Sequence, residues 1–593
     1  MIADLYLAQK LYDAGDAIAA RDKCLALISQ KESVGEAHHL LGIFAKQEGN
    51  SLEAVSHFCQ ALDIEASDSL TRRHLLDTLP PIEWDDVHKA GLFHELCHHL
   101  RASFQISDFD IRKHLPVVVA AIQSSDPFQR SIGYEGKVDP AQPWLAELMA
   151  DQLLQAVIKS EIIPLENFET VLTRLRCYLL KTAINTPTLL ESVPIEFCAA
   201  LAHQAYLTEY AYYLSDEERD WLKKLRNDLT TKIETGEKLH PTEVMKLIIS
   251  ACYVPLGEWL EKFFSGEESA EFESLAQLQI LNPLEEIDLD GQIESLTPIS
   301  DQTSQDVKAQ YEQNPFPRWS MLTRPAPNSI AATLQFFFPQ FEPSQKLSGP
   351  CDILIAGCGT GQQPILEALR YPTSHVTAID LSRSSLAYAA RKAKAYDVNS
   401  IEFLSGDILE LENYNETFDV IECTGVLHHM ADPLAGWQAL LSRLAPGGVM
   451  KIGLYSELAR RHITTTRNWI KEQGLAATPA VIRNTRQQIL ALPPDDPKRQ
   501  VTNFADFYSI SGARDLLFHV QESTFTLPKI QDALHKLDLE LIGLQISSDS
   551  LKNIYQAQFP DDLSMTNLDN WHQFELENPN SFQEMYIFWC RAL

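Results

Sequence analysis

Hydrophobic residues recur with two different periods along the 593-residue chain. As far as residue 280 they repeat at i, i+3, i+4 and i+7, the spacing of amphipathic helices, as in Phe109–Ile122 and Pro241–Phe264. Beyond residue 350, short and fully apolar runs alternate with helical stretches. Buried parallel strands joined by helices have that pattern. The sequence therefore predicts an all-α N-terminal half and an α/β C-terminal half.

The N-terminal helices show an internal repeat. Residues 1–34 and 35–68 align without a gap, and small residues recur in register, Ala8 with Gly42 and Ala20 with Ala54. Two antiparallel helices approach closely only where side chains are small, so the period predicts two helix–turn–helix repeats. The 34-residue period resembles that of tetratricopeptide repeats, and Pro80-Pro81 ends the region.

One apolar run, residues 353–356, ends in closely spaced glycines, Gly357-Cys358-Gly359-Thr360-Gly361. A glycine turn between a strand and a helix lets a ligand lie against the backbone, because no Cβ is in the way. The next apolar run, residues 376–379, ends in Asp380. An acidic residue at that place accepts hydrogen bonds from both ribose hydroxyls of a nucleoside. The sequence predicts a nucleoside-cofactor site.

The spacing of the glycines narrows the choice of cofactor. A dinucleotide fingerprint has a third glycine where this chain has Gln362, so pyrophosphate binding is disfavoured. The turn resembles motif I of the class I methyltransferases that depend on S-adenosylmethionine (SAM). Further motifs of that family follow in order over residues 305–593: Gly406-Asp407-Ile408, residues 418–423, residues 426–433 and residues 444–450. The resemblance implies a Rossmann-like sheet of seven mostly parallel strands, the last of them antiparallel.

The resemblance also implies which residues contact the cofactor. Asp407 is expected against the adenine amino group. Ile355 stands where the family usually has an acidic residue that helps to hold the methionine amino group, so backbone carbonyls of the glycine turn or residues 423–425 are the alternatives. A fold that no longer binds SAM is the contrary reading. The expected cofactor contacts are Gly357, Cys358, Gly359, Gly361, Asp380, Leu381, Asp407, Ile408, Cys423 and Thr424.

The reacting methyl group is expected beside the residues that follow the fourth strand, where ligands of open parallel sheets bind. His428 or His429 is the candidate general base, because methyl transfer needs an aligned nucleophile that gives up its proton. The alternative is that one histidine packs against the adenine or the loop while the other is solvated. The neighbouring positions are Thr424, Gly425 and Leu427.

Two other segments supply candidate substrate contacts. Tyr311 opens the proline-containing stretch 311–319, which is predicted either to cover the cofactor as a lid or to pack as a kinked segment. Arg514, His519 and Glu522 lie on an apolar background beyond the fifth strand. They either hold a substrate carboxylate or supply a base, or they form a salt-bridged helix.

A metalloprotease-like motif occurs in the helical half. His94, Glu95 and His98 match H-E-x-x-H, but a catalytic zinc site needs a third ligand. No G-x-x-H follows, and the next glutamate is Glu135, in the loop-like stretch Tyr134–Gly136. A helix with partly exposed histidines is the better reading, so no metal site is predicted.

Composition limits the partners. The formal charge of −32 is unfavourable for nucleic acid, and residues 301–593 hold only 24 Lys+Arg against 33 Asp+Glu, so most of the acidity lies before them. The ten cysteines form no C-x-x-C pair, and neither a secretory signal nor a run of eighteen apolar residues is seen. We expect a cytoplasmic protein without membrane or nucleic-acid partners. The oligomeric state stays open.

Four segments are predicted: repeats over 1–79, a helical domain over 80–281, an acidic linker over 282–306 and a methyltransferase domain over 307–593. The favoured function is SAM-dependent methylation of a protein or peptide that the repeats recruit. The alternatives are methylation of a small metabolite, and an interaction scaffold with a silent methyltransferase fold.

Overall fold

The computed structural model describes residues 2–80, 82–104, 111–133, 142–235, 239–258, 260 and 269–593. Pro81, the start of the helix predicted over Phe109–Ile122, the stretch Tyr134–Gly136 and the end of the helix predicted over Pro241–Phe264 lie outside the described residues. The chain divides into two compact units. The first is Met1–Ile163 with Asn167–Gln204, and the second is Pro164–Glu166 with Ala205–Leu593.

The first unit is helical, as its apolar periodicity predicts. Its helices are α1 Ile2–Asp13, α2 Ala17–Gln30, α3 Val34–Gln47, α4 Ser51–Ile64, α5 Ser69–Leu76, α6 Trp84–Lys89, α7 Phe93–Ser103, α8 Ile111–Ser124, α9 Asp126–Ile132, α10 Pro143–Met149, α11 Gln152–Ser160 and α12 Glu166–Asn185, followed by a 3-10 helix Pro187–Ser192 and by α13 Ile195–Leu207, which begins in this unit.

Helices α1 to α4 form two successive helix pairs, in the register of the internal repeat. Ala8, Ala20 and Ala54 are completely buried between helices. The ring of Phe58 lies against Gly42 so closely that a Cβ there would be 2.5 Å from it. Small residues are therefore needed where the repeat predicts them. That these pairs are tetratricopeptide repeats stays a prediction.

The second unit combines helices with one sheet. Its helices are α14 Asp216–Glu234, α15 Pro241–Ala251, α16 Ala270–Ala276, α17 Asn282–Asp290, α18 Gln302–Gln313, α19 Ile330–Phe337, α20 Gln362–Arg370, α21 Arg383–Ala395, α22 Pro433–Leu441, α23 Arg461–Glu472, α24 Pro479–Leu490, α25 Ile510–Phe518, α26 Leu527–Lys536, α27 Asp549–Gln558 and α28 Leu568–Glu577. Its strands are β1 Glu294–Ser295, β2 Asp352–Ala356, β3 His375–Asp380, β4 Ile401–Ser405, β5 Phe418–Thr424, β6 Leu444–Leu454, β7 Leu539–Leu544 and β8 Tyr586–Ala592.

The sheet has the order β1-β4-β3-β2-β5-β6-β8-β7. Strands β1 to β6 pair in parallel, and β8 runs antiparallel to both β6 and β7. The Rossmann-like fold with an antiparallel last strand is thus confirmed. The predicted number of strands is wrong: among the described residues the sheet has eight strands, because Glu294–Ser295 pairs with Leu404–Ser405 at its edge.

Residues 282–306, predicted as a linker, are part of the second unit. Glu286 pairs with Arg391 at 2.8 Å and Glu285 with Lys394 at 2.6 Å, which ties α17 to the basic helix α21. Beyond β1, the hydroxyl of Thr297 accepts a hydrogen bond from the N–H of Asp407 at 2.7 Å. The acidic composition of this stretch suggests a solvated linker, but Glu285 and Glu286 form ion pairs within the fold.

The strands bury both of their faces. Ile353 and Ile355 of β2 belong to one apolar cluster, and Leu354 belongs to the cluster on the opposite side of the sheet. Continuous apolar runs are needed for a parallel sheet with helices on both sides. Among the described residues, no helix combines the length and the apolarity that crossing a bilayer would require.

We expect Gly42→Ala to destabilise the first unit by about 1–3 kcal/mol, because the new methyl group overpacks against Phe58. Gly35→Ala is the matched control in the same helix, since its Cβ would meet only ordinary contacts of 3.5 Å or more. There, the better helix propensity of alanine should leave stability unchanged or raise it by up to about 1 kcal/mol. Amide hydrogen exchange across α3 and α4 measures both, and equal protection in the two variants contradicts the packing argument.

Candidate cofactor and active site

A cavity of about 520 Å³ opens at the carboxyl ends of β2, β3, β4 and β5. This is the edge of an open parallel sheet at which ligands bind. Most of the predicted cofactor residues line it, together with residues from α18, α25 and the loop before α22. Those predicted residues are Gly357, Cys358, Gly359, Asp380, Leu381, Asp407, Ile408 and Thr424. Gly361 and Cys423 are not among the residues that line it.

The glycine turn brings the backbone to the cavity wall. Gly357 and Gly359 have φ values of +75° and +53°, in the left-handed region that favours glycine. A Cβ on Gly359 would stand 2.9 Å from the carbonyl oxygen of Phe316, and one on Gly357 would stand 2.3 Å from the Val426 side chain. The turn is therefore closed to any larger residue.

Asp380 fixes this turn from the end of β3. One carboxylate oxygen accepts the N–H of Gly359 at 2.8 Å, and the other accepts the N–H of Ser382 at 2.9 Å. Each oxygen retains a further acceptor site, which suits the two hydroxyls of a ribose. Burial raises the pKa of Asp380 to about 6, against the opposing effect of these backbone hydrogen bonds.

Asp407 has an unsatisfied acceptor in the same cavity. The residue is 2% exposed, and its Oδ1 accepts the N–H of Leu409 at 3.0 Å. Its Oδ2 has no hydrogen-bond partner among the described residues. Burial raises the pKa of this carboxyl, and the Ser304 hydroxyl lowers it. A buried acceptor without a partner is costly, so a donor such as an adenine amino group fits here.

At the predicted methionine end the chain offers amide and hydroxyl groups in place of a carboxylate. Ile355 is buried in the apolar core. Gln363 and Thr424 line the cavity, and the hydroxyl of Thr424 donates to Gln363 Oε1 at 2.8 Å. The amide of Gln363 donates in turn to Glu422, which pairs with Lys451 at 3.2 Å. The residues present thus fit a nucleoside whose linker carries no phosphate.

The stretch 311–319 forms a wall of the cavity and packs firmly. The Trp319 indole donates to the carbonyl of Thr360 at 3.1 Å, and the Thr360 hydroxyl donates to the carbonyl of Pro317. Phe316 and Pro317 line the cavity. Residues of this stretch therefore both border the cavity and pack against the glycine turn, so the two alternatives, a cover over the cofactor site and a kinked packing segment, are compatible.

The two candidate bases have different surroundings. His429 lines the cavity, and its Nδ1 lies 2.8 Å from the carbonyl oxygen of Gln521. Because a carbonyl only accepts, Nδ1 carries the proton, and Nε2 of the neutral ring has a lone pair. His428 is fully buried and stacks on Tyr455 with a centroid distance of 3.8 Å. Neither of its ring nitrogens has a hydrogen-bond partner among the described residues.

A directional chain of hydrogen bonds ends beside His429. His519 Nδ1 accepts the N–H of Gln521 at 3.1 Å, so the proton of the neutral ring is on Nε2, 3.1 Å from the Tyr311 hydroxyl. That hydroxyl donates to Asp515 Oδ1 at 2.6 Å. The rings of His429 and His519 stack at 3.7 Å, and burial lowers the pKa of both. Two neutral imidazoles therefore flank one carboxylate.

The remaining predicted substrate contacts do not line the cavity. Arg514 donates to the side chains of Gln313 and Asn314, which fixes the end of α18. Glu522 is buried between Arg460 and Arg467, at 2.8 and 2.6 Å. The salt-bridge reading thus fits Glu522, whereas Tyr311 reaches the cavity.

Sequence reasoning missed Asp515 and Gln521, although both lie in the segment that it singled out. Asp515 stands four positions before His519 on the same stretch, and that spacing is the signal that could have identified it. Gln521 acts mainly through its backbone, which no side-chain pattern reveals. Asp301 and Ser304 of the predicted linker also line the cavity.

A Rossmann-like sheet with a glycine turn after β2 and acidic residues at the end of β3 and after β4 is the arrangement that the sequence predicts for a class I methyltransferase. Residues 353–448 match the family described as methyltransferase domain. Residues 353–448 thus form a methyltransferase domain, and the cavity at the carboxyl ends of its strands fits SAM as cofactor.

Similar proteins share parts of this chain. The uncharacterized protein syc1184_c of Synechococcus sp. is 36% identical over 172 residues, which are 28% of this chain and 40% of that protein. Trans-aconitate 2-methyltransferase of Deinococcus radiodurans is 31% identical over 119 residues, 20% of this chain and 43% of that enzyme. The structure of PKMT2 from Rickettsia typhi has 14% identity and a TM-score of 0.35, and it covers 45% of this chain and 54% of its own. The chain spans less than half the length of the two curated relatives.

Asp380→Ala should weaken SAM binding about tenfold or more, since each hydrogen bond to a charged group contributes about 1.5–3 kcal/mol. Asp352→Ala removes the same charge from the amino end of β2, away from the cavity, and is the control. Calorimetric titration with SAM measures both. Equal affinity of the Asp380 variant and the unaltered protein would contradict the ribose assignment.

SAM affinity should also rise with pH through the pKa of Asp380, about 6 in the free protein. Below that pH the carboxyl is protonated and accepts hydrogen bonds from hydroxyls more weakly, so binding loses up to about tenfold per pH unit. Asp380→Asn cannot ionise, and its weaker affinity should lack this component of the pH dependence. Titrations across this range test the sign, and an affinity that falls as pH rises contradicts it.

Proposed function

We propose that this protein transfers the methyl group of SAM to a nucleophile on a protein or peptide, with His429 as general base. The observation that carries the proposal is the hydrogen bond between His429 Nδ1 and the carbonyl of Gln521, which leaves Nε2 unprotonated on a residue that lines the cavity.

When bound, SAM supplies a methyl carbon that its sulfonium already activates, so the protein has to align the acceptor and remove its proton. Burial lowers the pKa of His429, so its ring is neutral and ready to take a proton at neutral pH. An acceptor N–H or O–H would give its proton to Nε2, while its lone pair forms the new bond to the methyl carbon. The carbon–sulfur bond would break at the same time, with its electron pair going to the sulfur of the departing S-adenosylhomocysteine.

Asp515 stabilises the imidazolium that results. One of its carboxylate oxygens and one ring nitrogen each of His429 and His519 lie within 4.8 Å of one another. The Tyr311 hydroxyl donates to one carboxylate oxygen and keeps it oriented. His519 is a positioning residue, because both of its ring nitrogens serve hydrogen bonds that hold Tyr311 and the loop at Gln521.

His429→Phe should lower kcat by about 10²- to 10⁴-fold, the usual contribution of a general base, while SAM affinity changes little. His428→Phe is the matched control, because it replaces an adjacent buried ring that makes no side-chain hydrogen bond in the described part of the chain. Single-turnover methyl transfer at several pH values measures both. If the two variants lose activity equally, His429 has no special role.

A protein acceptor is supported by the character of the first unit. Ile18 and Leu25 are 76% and 52% exposed, and their spacing of seven residues puts them on one face of α2. The residues of this unit carry 17 Lys+Arg against 27 Asp+Glu. An exposed apolar pair in an acidic region suits a partner with a hydrophobic anchor and net positive charge.

The double variant Ile18→Ser/Leu25→Ser should raise KM for the acceptor at least about tenfold and leave kcat and SAM affinity unchanged, since losing two apolar anchors removes binding alone. Leu563→Ser is the control, because Leu563 is 75% exposed in the second unit. KM should also rise with salt if the partner is basic. Unchanged KM in the double variant contradicts recruitment by α2.

A small metabolite is the second candidate, because trans-aconitate 2-methyltransferase of Deinococcus radiodurans is among the relatives. Incubating the full chain with lysate and SAM labelled on its methyl group separates the two. Label in the protein fraction supports the first candidate, and label in the low-molecular-weight fraction supports the second. A silent scaffold would bind no SAM in calorimetry.

A further inference from the structure

Helices α4 and α7 of the first unit bring together a cysteine, a histidine and carboxylates. Cys59 lies on α4, and Glu95 and His99 lie on α7. The Cys59 sulfur, a Glu95 carboxylate oxygen and a ring nitrogen of His99 are all within 4.8 Å of one another. Asp63, one turn after Cys59, has its Oδ1 3.1 Å from His99 Nε2.

We propose that Cys59, Glu95 and His99, with Asp63 beside His99, form a binding site for a zinc-like divalent metal ion that joins α4 to α7. On each helix the two residues stand at i and i+4, the spacing that puts both on one face. Thiolate and imidazole together favour zinc over magnesium or calcium, which prefer oxygen ligands alone.

A buried ring nitrogen that lacks a well-aligned hydrogen bond points independently to a ligand. His99 is 2% exposed, yet its Nε2 has no hydrogen-bond partner among the described residues. Asp63 is near this nitrogen without the alignment that a hydrogen bond requires. A lone pair or N–H left unsatisfied in the interior is costly, and coordination of a metal ion removes that cost.

The surroundings suit a closed structural site. Cys59 is completely buried, Glu95 is half-buried and Asp63 is exposed, so the cluster is reached from the side of Asp63. Arg72 is buried and donates to the backbone carbonyl of His99 at 3.1 Å, which fixes the helix and adds a positive charge nearby. With a thiolate, two carboxylates and a divalent ion, that charge leaves the region close to neutral.

This set differs from the H-E-x-x-H pair. His94 and His98 are exposed, and neither belongs to the cluster of Cys59, Glu95 and His99. The second cluster of this kind, His429 with Asp515 and His519, belongs to the methyltransferase cavity, and both ring nitrogens of His519 already serve hydrogen bonds.

The full chain, stripped with a chelator, should bind one zinc ion at this site. X-ray absorption at the zinc edge is expected to show one sulfur neighbour at about 2.3 Å and nitrogen or oxygen neighbours at about 2.0–2.1 Å. Cobalt(II) should give the thiolate charge-transfer band of a Cys-ligated ion. A stripped chain that binds no zinc, or zinc without a sulfur neighbour, overturns the proposal.

Matched variants locate the ion. Cys59→Ser and His99→Asn should each weaken zinc binding by more than about 100-fold, because even losing a group that only orients a ligand costs about 10- to 100-fold. Cys97→Ser and His98→Asn, on the same helix α7, should bind zinc like the unaltered chain. Zinc should raise the melting temperature of the unaltered chain and of these two controls only. A thiolate charge-transfer band of cobalt(II) that persists in Cys59→Ser, or is lost in Cys97→Ser, overturns the assignment. This readout does not depend on whether a variant is as stable as the unaltered chain.

Discussion

The hydrogen bond from the N–H of Gly359 to the carboxylate of Asp380 is the contact on which the cofactor side of the molecule depends. It joins the turn after β2 to the end of β3, so it holds together the glycine backbone and the carboxylate that is predicted to bind ribose. The carbonyl of Phe316 closes the same turn from the other side, at a distance that excludes a Cβ on Gly359. One hydrogen bond thus holds two segments in register, with a third packed against them, and burial of the carboxylate strengthens the bond while it raises the pKa.

The parts of this site that follow from local sequence could be predicted. The apolar runs, the glycine spacing and Asp380 can each be recognised within a few residues. Burial of a strand and close approach of a ligand to the backbone determine which residues are allowed at those positions. The eighth strand could not be predicted, since two polar residues, Glu294 and Ser295, join the sheet through backbone pairing alone. The acidic composition of residues 282–306 also led to the wrong prediction of a solvated linker. Glu286 forms an ion pair with Arg391 within the fold.

The residues that we propose for catalysis are brought together by contacts between segments about 200 residues apart. Tyr311 and Asp515 meet at 2.6 Å, yet neither residue has a neighbour in sequence that signals the other. Gln521 orders both imidazoles through one peptide group, with its N–H to His519 and its carbonyl to His429. These hydrogen bonds place the proton on Nε2 of His519 and on Nδ1 of His429, so the two rings have different roles. The sequence shows only that both residues are histidines.

Helical periodicity alone could not predict which face of α7 is buried against a neighbouring helix. His94 with His98 and Glu95 with His99 have the same i, i+4 spacing, so the sequence motif and the buried pair are equivalent until a neighbouring helix is present. Burial decides between them, because α4 packs on the side of His99 and brings Cys59 with it. The histidines of the H-E-x-x-H motif are exposed to solvent. The proposed metal ligands lie on two helices, α4 and α7, which are brought together only in the folded protein. The same reasoning separates His428 from His429, which differ by one position in sequence and lie respectively behind and within the lining of the cavity.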